Sequence, residues 1–216
     1  MNQTWNNSEK FNREASQWDE DPRRRQLAMA VAEAIIAKTN PVKTMHALEV
    51  GCGTGLVTLE IAPLVKKVIA IDTSMEMLKI LHEKISTFRI ENIEATSAYP
   101  SLLSTFMEHK TLFDLVYSSM TLHHINDTFG FLNQISNLLV PGGVIAIVDL
   151  DVEDGSFHED QKEKVHYGFD RAELSAMMQA ADLKETSFET IFTFNKKNKQ
   201  EKNTAYTIFL ATATKN

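Results

Sequence analysis

The sequence has little cysteine, no long apolar run and fewer basic than acidic residues. Cys52 is the single cysteine among 216 residues, which excludes an internal disulfide bond and a metal cluster held by several thiolates. The longest apolar stretches are only as long as strands, so we expect no membrane-spanning helix. The 22 lysines and arginines against 29 acids give a net charge of −7, whereas nucleic-acid binding needs a basic surface. These absences favour a small-molecule partner and disfavour a membrane or a nucleic acid.

Strand-length apolar runs alternate with helix-like patterns as far as residue 150. We predict strands at 44–50, 67–71, 90–96, 113–117 and 144–149, and helices at 22–38, 55–63, 74–88, 99–108 and 128–139. This alternation predicts an α/β fold with a doubly wound, mostly parallel sheet between two helix layers. Helix 170–181 follows, and then two β-rich runs, 183–194 and 204–214. The short polar connection between these runs predicts a C-terminal antiparallel hairpin.

A glycine-rich turn follows the first predicted strand, and an acid ends the second. Gly51, Gly53 and Gly55 form the pattern G-x-G-x-G, and Asp72 stands 21 residues after Gly51. Glycines allow positive φ and let the main chain approach a ligand closely. The helix that follows offers free N–H groups to an anionic group, and a carboxylate at this distance can accept hydrogen bonds from ribose hydroxyls. The two features predict a site for a nucleotide-like cofactor at the strand ends.

The spacing of the glycines distinguishes between cofactors. A dinucleotide fingerprint, G-x-G-x-x-G, needs its third glycine where this chain has Leu56. With Glu49 two residues before Gly51, the segment resembles the first motif of the class I S-adenosylmethionine (SAM)-dependent methyltransferases. The terminal hairpin is also similar to the end of that family's Rossmann-like seven-stranded sheet, which dinucleotide-binding folds lack. A nicotinamide oxidoreductase is therefore disfavoured.

The resemblance implies SAM as the cofactor and S-adenosyl-L-homocysteine (SAH) as its product. It also implies that the glycine loop contacts the methionine moiety, with Glu49 fixing the loop, and that Asp72 binds the ribose. Ser97 stands close to where family members often carry an acid for the adenine amino group. The cofactor contacts expected in this way are Glu49, Gly51, Cys52, Gly53, Thr54, Gly55, Asp72, Thr73, Ser74, Met75, Ser97, Ser118 and Met120.

Residues after the fourth strand are expected to line the reacting centre, because strand C-termini face the ligand crevice in doubly wound sheets. His124 and, as a second choice, His123 are candidates for a general base or for a group that orients the nucleophile. The alternative is that one histidine packs or caps the next helix. The candidate substrate or lid contacts are Trp18, Arg23, His158, His166 and Tyr167. For Arg23 the alternative is a solvated side chain neutralised by nearby acids.

No histidine spacing matches a metal motif, so we expect no metal. We expect one domain over 1–216, made of N-terminal cap helices (1–40), a SAM-binding core (44–150), a lid insertion (151–168) and a C-terminal helix with a β-hairpin (170–216). The hypothesis is a methyltransferase that acts on an O, N, S or C nucleophile of a small molecule, as a monomer or homodimer. The polar N-terminus resembles no signal peptide, which predicts a cytoplasmic location. A SAM-binding regulatory protein without turnover is the alternative.

Overall fold

The computed structural model describes residues 8–97, 105–106, 108, 111–158, 163–198 and 201–216. Its strands are β1 His46–Val50, β2 Lys67–Asp72, β3 Ile93–Ser97, β4 Phe113–Ser119, β5 Leu139–Leu150, β6 Leu183–Lys197 and β7 Asn203–Lys215. They form one seven-stranded sheet in the order β3-β2-β1-β4-β5-β7-β6. Strands β1 to β5 are parallel, and β7 is antiparallel to both β5 and β6. The predicted, mostly parallel sheet with a C-terminal antiparallel hairpin is confirmed.

Four of the described helices begin after a residue whose side chain caps them. The helices are α1 Ser8–Glu14, α2 Pro22–Thr39, α3 Thr58–Ile61, α4 Met75–Phe88, α5 Thr128–Ser136 and α6 Arg171–Ala180, with 3-10 turns at Ala15–Glu20, Ala62–Leu64 and Leu122–His124. The carboxylate of Asp21 accepts the Arg23 N–H at the start of α2, and Pro22 occupies its first turn. Side chains of Ser74, Asp127 and Asp170 accept backbone N–H groups at the starts of α4, α5 and α6. Most of the helix predicted at 99–108 lies outside the described residues.

Apolar clusters cover both faces of the sheet. Neighbouring strand residues point to opposite faces, and accordingly Leu115 and Ala146 belong to one buried cluster while Val116 and Ile147 belong to the other. Helices α2 and α4 contribute to the first cluster, and α5 and α6 contribute to the second. The sheet is therefore covered by helices on both sides, as a doubly wound fold requires, and the parallel strands place their C-terminal ends at one edge.

Two elements differ most from the prediction. The helix predicted at 55–63 is reduced to α3 and its 3-10 extension, because Gly55 has a φ of 84° that no right-handed helix contains. Residues 140–143, which lie between the predicted helix 128–139 and the predicted strand 144–149, belong to β5, where the pairing shifts from Phe113↔Leu139 to Leu115↔Val144 as a bulge. A Cβ on Gly143 would lie 2.9 Å from the Val140 carbonyl oxygen, so the bulge needs a glycine at that position.

Candidate functional site

The glycine loop is hydrogen-bonded to the end of β2, and other side chains pack closely against two of its three glycines. The N–H groups of Gly51 and Cys52 donate to the Ile71 carbonyl oxygen at 2.8 and 3.1 Å. A Cβ on Gly51 would collide with the Thr121 side chain, and one on Gly55 would collide with Leu81. Gly53 also has a positive φ, of 53°, yet no described atom outside its own neighbours lies within 4 Å of a Cβ built there. The loop therefore has an open side at Gly53, where a ligand can approach the main chain.

Asp72 ends β2 and is held in place by the main chain around it. Its Oδ2 accepts the Gly53 N–H and its Oδ1 accepts the Ser74 N–H, each at 2.8 Å. Burial raises the pKa of Asp72, while these backbone hydrogen bonds oppose the rise. Because an ionised carboxylate can accept about four hydrogen bonds, it retains capacity for two hydroxyl donors. Ser97 pairs with Asp72 in the sheet register and so lies beside it at the end of β3.

Glu49 lies beneath the loop and holds three elements together. Glu49 is only 2% exposed. Its Oε2 accepts hydrogen bonds from the Thr58 hydroxyl and, at 3.0 Å, from the Tyr117 hydroxyl. These contacts join β1 to α3 and β4. Burial raises the pKa of Glu49 to about 8 against the opposing effect of both hydroxyls. The carboxyl group is therefore largely protonated at neutral pH.

The raised pKa of Glu49 predicts a stability that falls with rising pH. Between its ordinary value of 4.5 and about 8, the carboxyl group ionises in the unfolded chain but not in the folded one, so wild type loses stability across this interval. Tenfold tighter proton binding in the folded chain corresponds to about 1.4 kcal/mol. We expect Glu49→Gln, which cannot ionise, to gain several kcal/mol relative to wild type between pH 5 and pH 8. Urea unfolding at both pH values measures this.

The exposed residue Glu60 on α3 provides the matched control, as Glu60→Gln makes the same chemical change on the surface. This variant should keep the pH dependence of wild type. If Glu49→Gln and wild type differed by the same free energy of unfolding at both pH values, Glu49 would not be a buried, protonated acid.

The other expected cofactor residues divide into supporting and exposed positions. Ser118 is buried and donates to the Val50 carbonyl oxygen at 2.8 Å, which joins β4 to the start of the glycine loop. Burial raises the pKa of the Cys52 thiol well above its ordinary value, so the thiol is unreactive. Met120 has a φ of 52° at the turn after β4. Thr73 and Met75 are exposed at the start of α4.

His123 and Asp149 form a buried pair at the ends of β4 and β5. Nδ1 of His123 lies 2.7 Å from Asp149 Oδ1, and the His123 N–H donates to Asp149 Oδ2 at 3.1 Å. The Leu150 N–H also donates to Asp149 Oδ1. A carboxylate at Nδ1 stabilises the tautomer with the proton on that atom and leaves Nε2 able to accept a proton. The pair thus has the arrangement of a general base and its orienting carboxylate.

His124 has a different environment. Its ring lies 4.1 Å from that of His123 and 5.2 Å from that of Phe11, measured between centroids. Burial and the neighbouring His123 lower the pKa of His124 to about 2. Such an imidazole stays neutral and is a poor proton acceptor near neutral pH. The geometry therefore supports the second choice, His123, better than His124 as a base.

The N-terminal segment 8–20 covers the glycine loop. Oδ1 of Asp19 accepts the Thr54 hydroxyl at 2.6 Å, and its Oδ2 pairs with Lys84 Nζ at 2.6 Å. Asn12 Oδ1 accepts the Ser74 hydroxyl at 2.7 Å. Trp18 packs edge-on against Phe11, whose ring reaches His124. The segment therefore connects the loop and the start of α4 with the histidines.

The insertion after β5 also contacts the N-terminal segment and the histidines. His158 Nδ1 lies 3.3 Å from Glu163 Oε2, which also pairs with Lys10 Nζ of α1 at 2.7 Å. Burial disfavours ionisation of Glu163, but the hydrogen bonds from His158 and Lys10, with the charge of Lys10, outweigh it and lower its pKa to about 2. The ring of His158 lies 5.0 Å from that of His123.

The side chains of three candidate lid residues lie outside the cluster of rings around His123 and His124. His166 donates its N–H to the His123 carbonyl oxygen at 2.8 Å, and its Nε2 lies 2.9 Å from the Ile125 carbonyl oxygen, so it fastens the insertion to the turn after β4. Tyr167 is 57% exposed. The side chain of Arg23 is 71% exposed and pairs with Asp21 at 2.9 Å. Of the candidates, His158 thus joins the histidine cluster directly, and Trp18 is connected to it through Phe11.

Sequence reasoning missed several residues that build this site. Asp149 carried a usable signal, because it ends an apolar run as Asp72 does. Asp19, Asn12 and Glu163 lie in polar segments without a pattern and gain their contacts only from the fold. Over the part of the chain that the structure describes, no three metal-ligating side chains converge on one point. No helix among those residues is long and apolar enough to cross a bilayer.

Comparisons with known proteins agree with this architecture. The family described as a methyltransferase domain matches residues 20–187. The chain is 32% identical over 152 residues to an uncharacterised methyltransferase of Schizosaccharomyces pombe, covering 64% of this chain and 53% of that one. It is 31% identical over 111 residues to the mitochondrial ubiquinone biosynthesis O-methyltransferase of Rattus norvegicus, covering 51% and 32%. The chain thus spans about half the length of the first relative and a third of the second.

Among solved structures, the fold matches that of the N-methyltransferase NodS from Bradyrhizobium japonicum in complex with SAH. The TM-score is 0.70 at 18% identity, and the match covers 96% of this chain and 97% of NodS. This likeness shows a shared fold, while the family match spans most of the chain. The chain belongs to the methyltransferase domain family, and its resemblance to the class I SAM-dependent methyltransferases is confirmed.

Proposed function

We propose that the protein transfers the methyl group of SAM to a nucleophilic O, N, S or C atom of a small molecule and releases SAH. The observation that carries this proposal is the contact between the glycine loop and the turn that contains His123. Thr121 occupies the space beside Gly51 that a Cβ would need, and His123 follows two residues later in the same turn. The cofactor loop and the proton-accepting pair are therefore neighbours at one edge of the sheet.

The residues present fit the cofactor. Gly53 leaves open space above the loop, and Asp72 keeps acceptor capacity after binding two backbone N–H groups. Bound SAM supplies a methyl group that is already activated on a sulfonium, so the protein mainly provides alignment, worth about 7–11 kcal/mol. Glu49 holds the loop rigid, and Asp72 accepts the ribose hydroxyls. Phe11 and Trp18 exclude water from the reacting centre.

His123 is the proposed base where the nucleophile must lose a proton. Its Nε2 takes the proton, and Asp149 stabilises the imidazolium that results. Asp149 is fully buried and accepts two backbone N–H groups in addition to the ring, so it is fixed in position. The neutral imidazole of His124 packs beside this pair.

The charge of the chain supports a small-molecule acceptor, because a net charge of −7 is unfavourable for nucleic acid. We propose the cytoplasm as the location of the protein. We propose a monomer or homodimer as the acting unit. The rat relative is named an O-methyltransferase and NodS an N-methyltransferase, so these names leave the acceptor atom open.

A turnover assay tests the proposal. Purified protein is incubated with SAM and a small-molecule extract, and mass spectrometry follows SAH and any compound that gains one methyl group. We expect SAH to form only when extract is present. SAM binding without SAH formation across the extract would instead favour the regulatory protein. Failure to bind SAM would overturn both.

Closure over the cofactor gives a separate prediction. Segments 8–20 and 151–158 contact the loop and the histidines chiefly through ion pairs and ring edges, so we expect both to gain protection from hydrogen exchange when SAH binds. Asp19→Ala removes the bridge between Thr54 and Lys84 and should reduce this gain in segment 8–20. Glu20→Ala, at the exposed neighbouring position, should not. Equal protection of both segments with and without SAH would exclude closure driven by the ligand.

A further inference from the structure

Two buried polar atoms beside the histidines have no hydrogen-bond partner among the described residues. They are Glu163 Oε1 and His158 Nε2, and none of the described residues satisfies either of them. The Glu163 side chain is only 2% exposed, and His124 Nδ1, at 3.8 Å from Oε1, is beyond hydrogen-bonding distance. Unsatisfied buried polar atoms are rare and costly in folded proteins, and one explanation is a ligand group that completes them.

Both atoms are hydrogen-bond acceptors. The Glu163 carboxylate is ionised, so it cannot donate, and the contact of 3.3 Å between its Oε2 and His158 Nδ1 places a proton on Nδ1. In the neutral imidazole, His158 Nε2 is then left with a lone pair. A group that satisfies Oε1 and Nε2 must therefore bring hydrogen-bond donors.

The charge around Glu163 favours a neutral donor. Lys10 Nζ already pairs with Glu163 Oε2 at 2.7 Å, so the carboxylate is compensated. An ammonium group at Oε1 would place a second cation close to Lys10 in a partly buried setting, which is unfavourable. A hydroxyl group donates without this penalty.

The surroundings suit a molecule with an apolar body. The Phe157 ring lies 5.3 Å from His158, and the Phe11 ring lies 5.2 Å from His124. We propose that Glu163 and His158 form a subsite of the methyl acceptor that binds a neutral hydroxyl group, of an alcohol or a phenol, whose one proton is donated to Glu163 Oε1, while a second donor of the same molecule completes His158 Nε2. This proposal rests on the proposed function. The hydroxyl at this subsite serves recognition, and His123 remains the proton acceptor.

Three small probes test the subsite in the SAH-saturated protein. Phenol offers the hydroxyl, anisole has the same ring without a donor, and benzylamine brings an ammonium group. Calorimetry or ligand-detected NMR gives the three affinities. Because a hydrogen bond to a charged acceptor is involved, we expect phenol to bind at least about tenfold more tightly than anisole. Benzylamine should bind more weakly than phenol.

Glu163→Gln should reduce the phenol-to-anisole ratio at least several-fold, since it removes the charged acceptor. Glu173→Gln makes the same change at an exposed position on α6 and should leave the ratio unchanged. The comparison of probes in wild type does not depend on whether Glu163→Gln folds.

Each outcome bears on the subsite. Equal affinity for phenol and anisole, or no binding of phenol, would overturn it, and tighter binding of benzylamine would replace it with an ammonium site. The SAH titration run first separates the two proposals. Loss of SAH binding would refute the proposed function, whereas normal SAH binding without a preference for phenol would refute the subsite alone.

Discussion

Replacing Asp72 with asparagine is expected to weaken SAM binding by about a hundredfold or more. Two ribose hydroxyls would each lose a charged acceptor, worth about 1.5–3 kcal/mol per hydrogen bond. The amide oxygen of the variant can accept only one of the Gly53 and Ser74 N–H groups, and its NH2 group faces the other, so some of the loss comes from a less firmly held loop. Isothermal calorimetry with SAM and with SAH measures the loss, and urea unfolding verifies the fold.

A control for charge alone is available on the neighbouring helix. Glu83 is exposed on α4, and Glu83→Gln removes one negative charge without touching the loop. Its affinity for SAM should match that of wild type. An unchanged affinity for SAM in folded Asp72→Asn would show that Asp72 does not bind the ribose, and it would contradict the proposed orientation of the cofactor.

The second large effect is expected for the buried pair. His123→Asn removes the proposed proton acceptor, and general base catalysis is typically worth about 10² to 10⁴ in rate. Asp149→Asn should produce a loss of similar order, because an amide in place of the carboxylate no longer stabilises the productive tautomer or the imidazolium. Neither variant should change SAM affinity more than about threefold. The readouts are kcat on the active extract fraction and calorimetry with SAM.

Two further variants make this experiment decisive. His46 lies at the N-terminal end of β1, opposite the strand ends that carry the proposed site, and its side chain is half-exposed, so His46→Asn should leave kcat unchanged. A larger loss from His124→Asn than from His123→Asn would transfer the role of base to His124. Equal kcat in all variants would mean that alignment alone supports transfer.

The features readable from sequence were those encoded within one strand and the turn after it. The glycine pattern and Asp72 are local signals, since a parallel sheet brings the ends of its strands to one edge. The bulge in β5 was not predictable from Pro141, Gly142 and Gly143, which equally suit a turn outside the sheet. Its register depends on the pairing of β5 with β4, a long-range contact.

The residues of segment 8–20 and of the insertion after β5 that cover the site could not be predicted from the sequence. Lys10 and Glu163 are 153 residues apart, and Asp19 and Thr54 are 35 apart. Nothing in the composition of either polar segment distinguishes these residues from solvated neighbours. Their roles come from packing of the N-terminal segment across α4, which no periodicity in the sequence encodes.

The position of segment 8–20 has a consequence for the order of events in a catalytic cycle. One side of the segment is bonded to Thr54 and Lys84, and the other to Glu163. A single displacement of this segment therefore uncovers the places proposed for both the spent cofactor and the methylated product. The departures of the two products are expected to share one rate, which should rise with ionic strength as the ion pairs on both sides of the segment are screened.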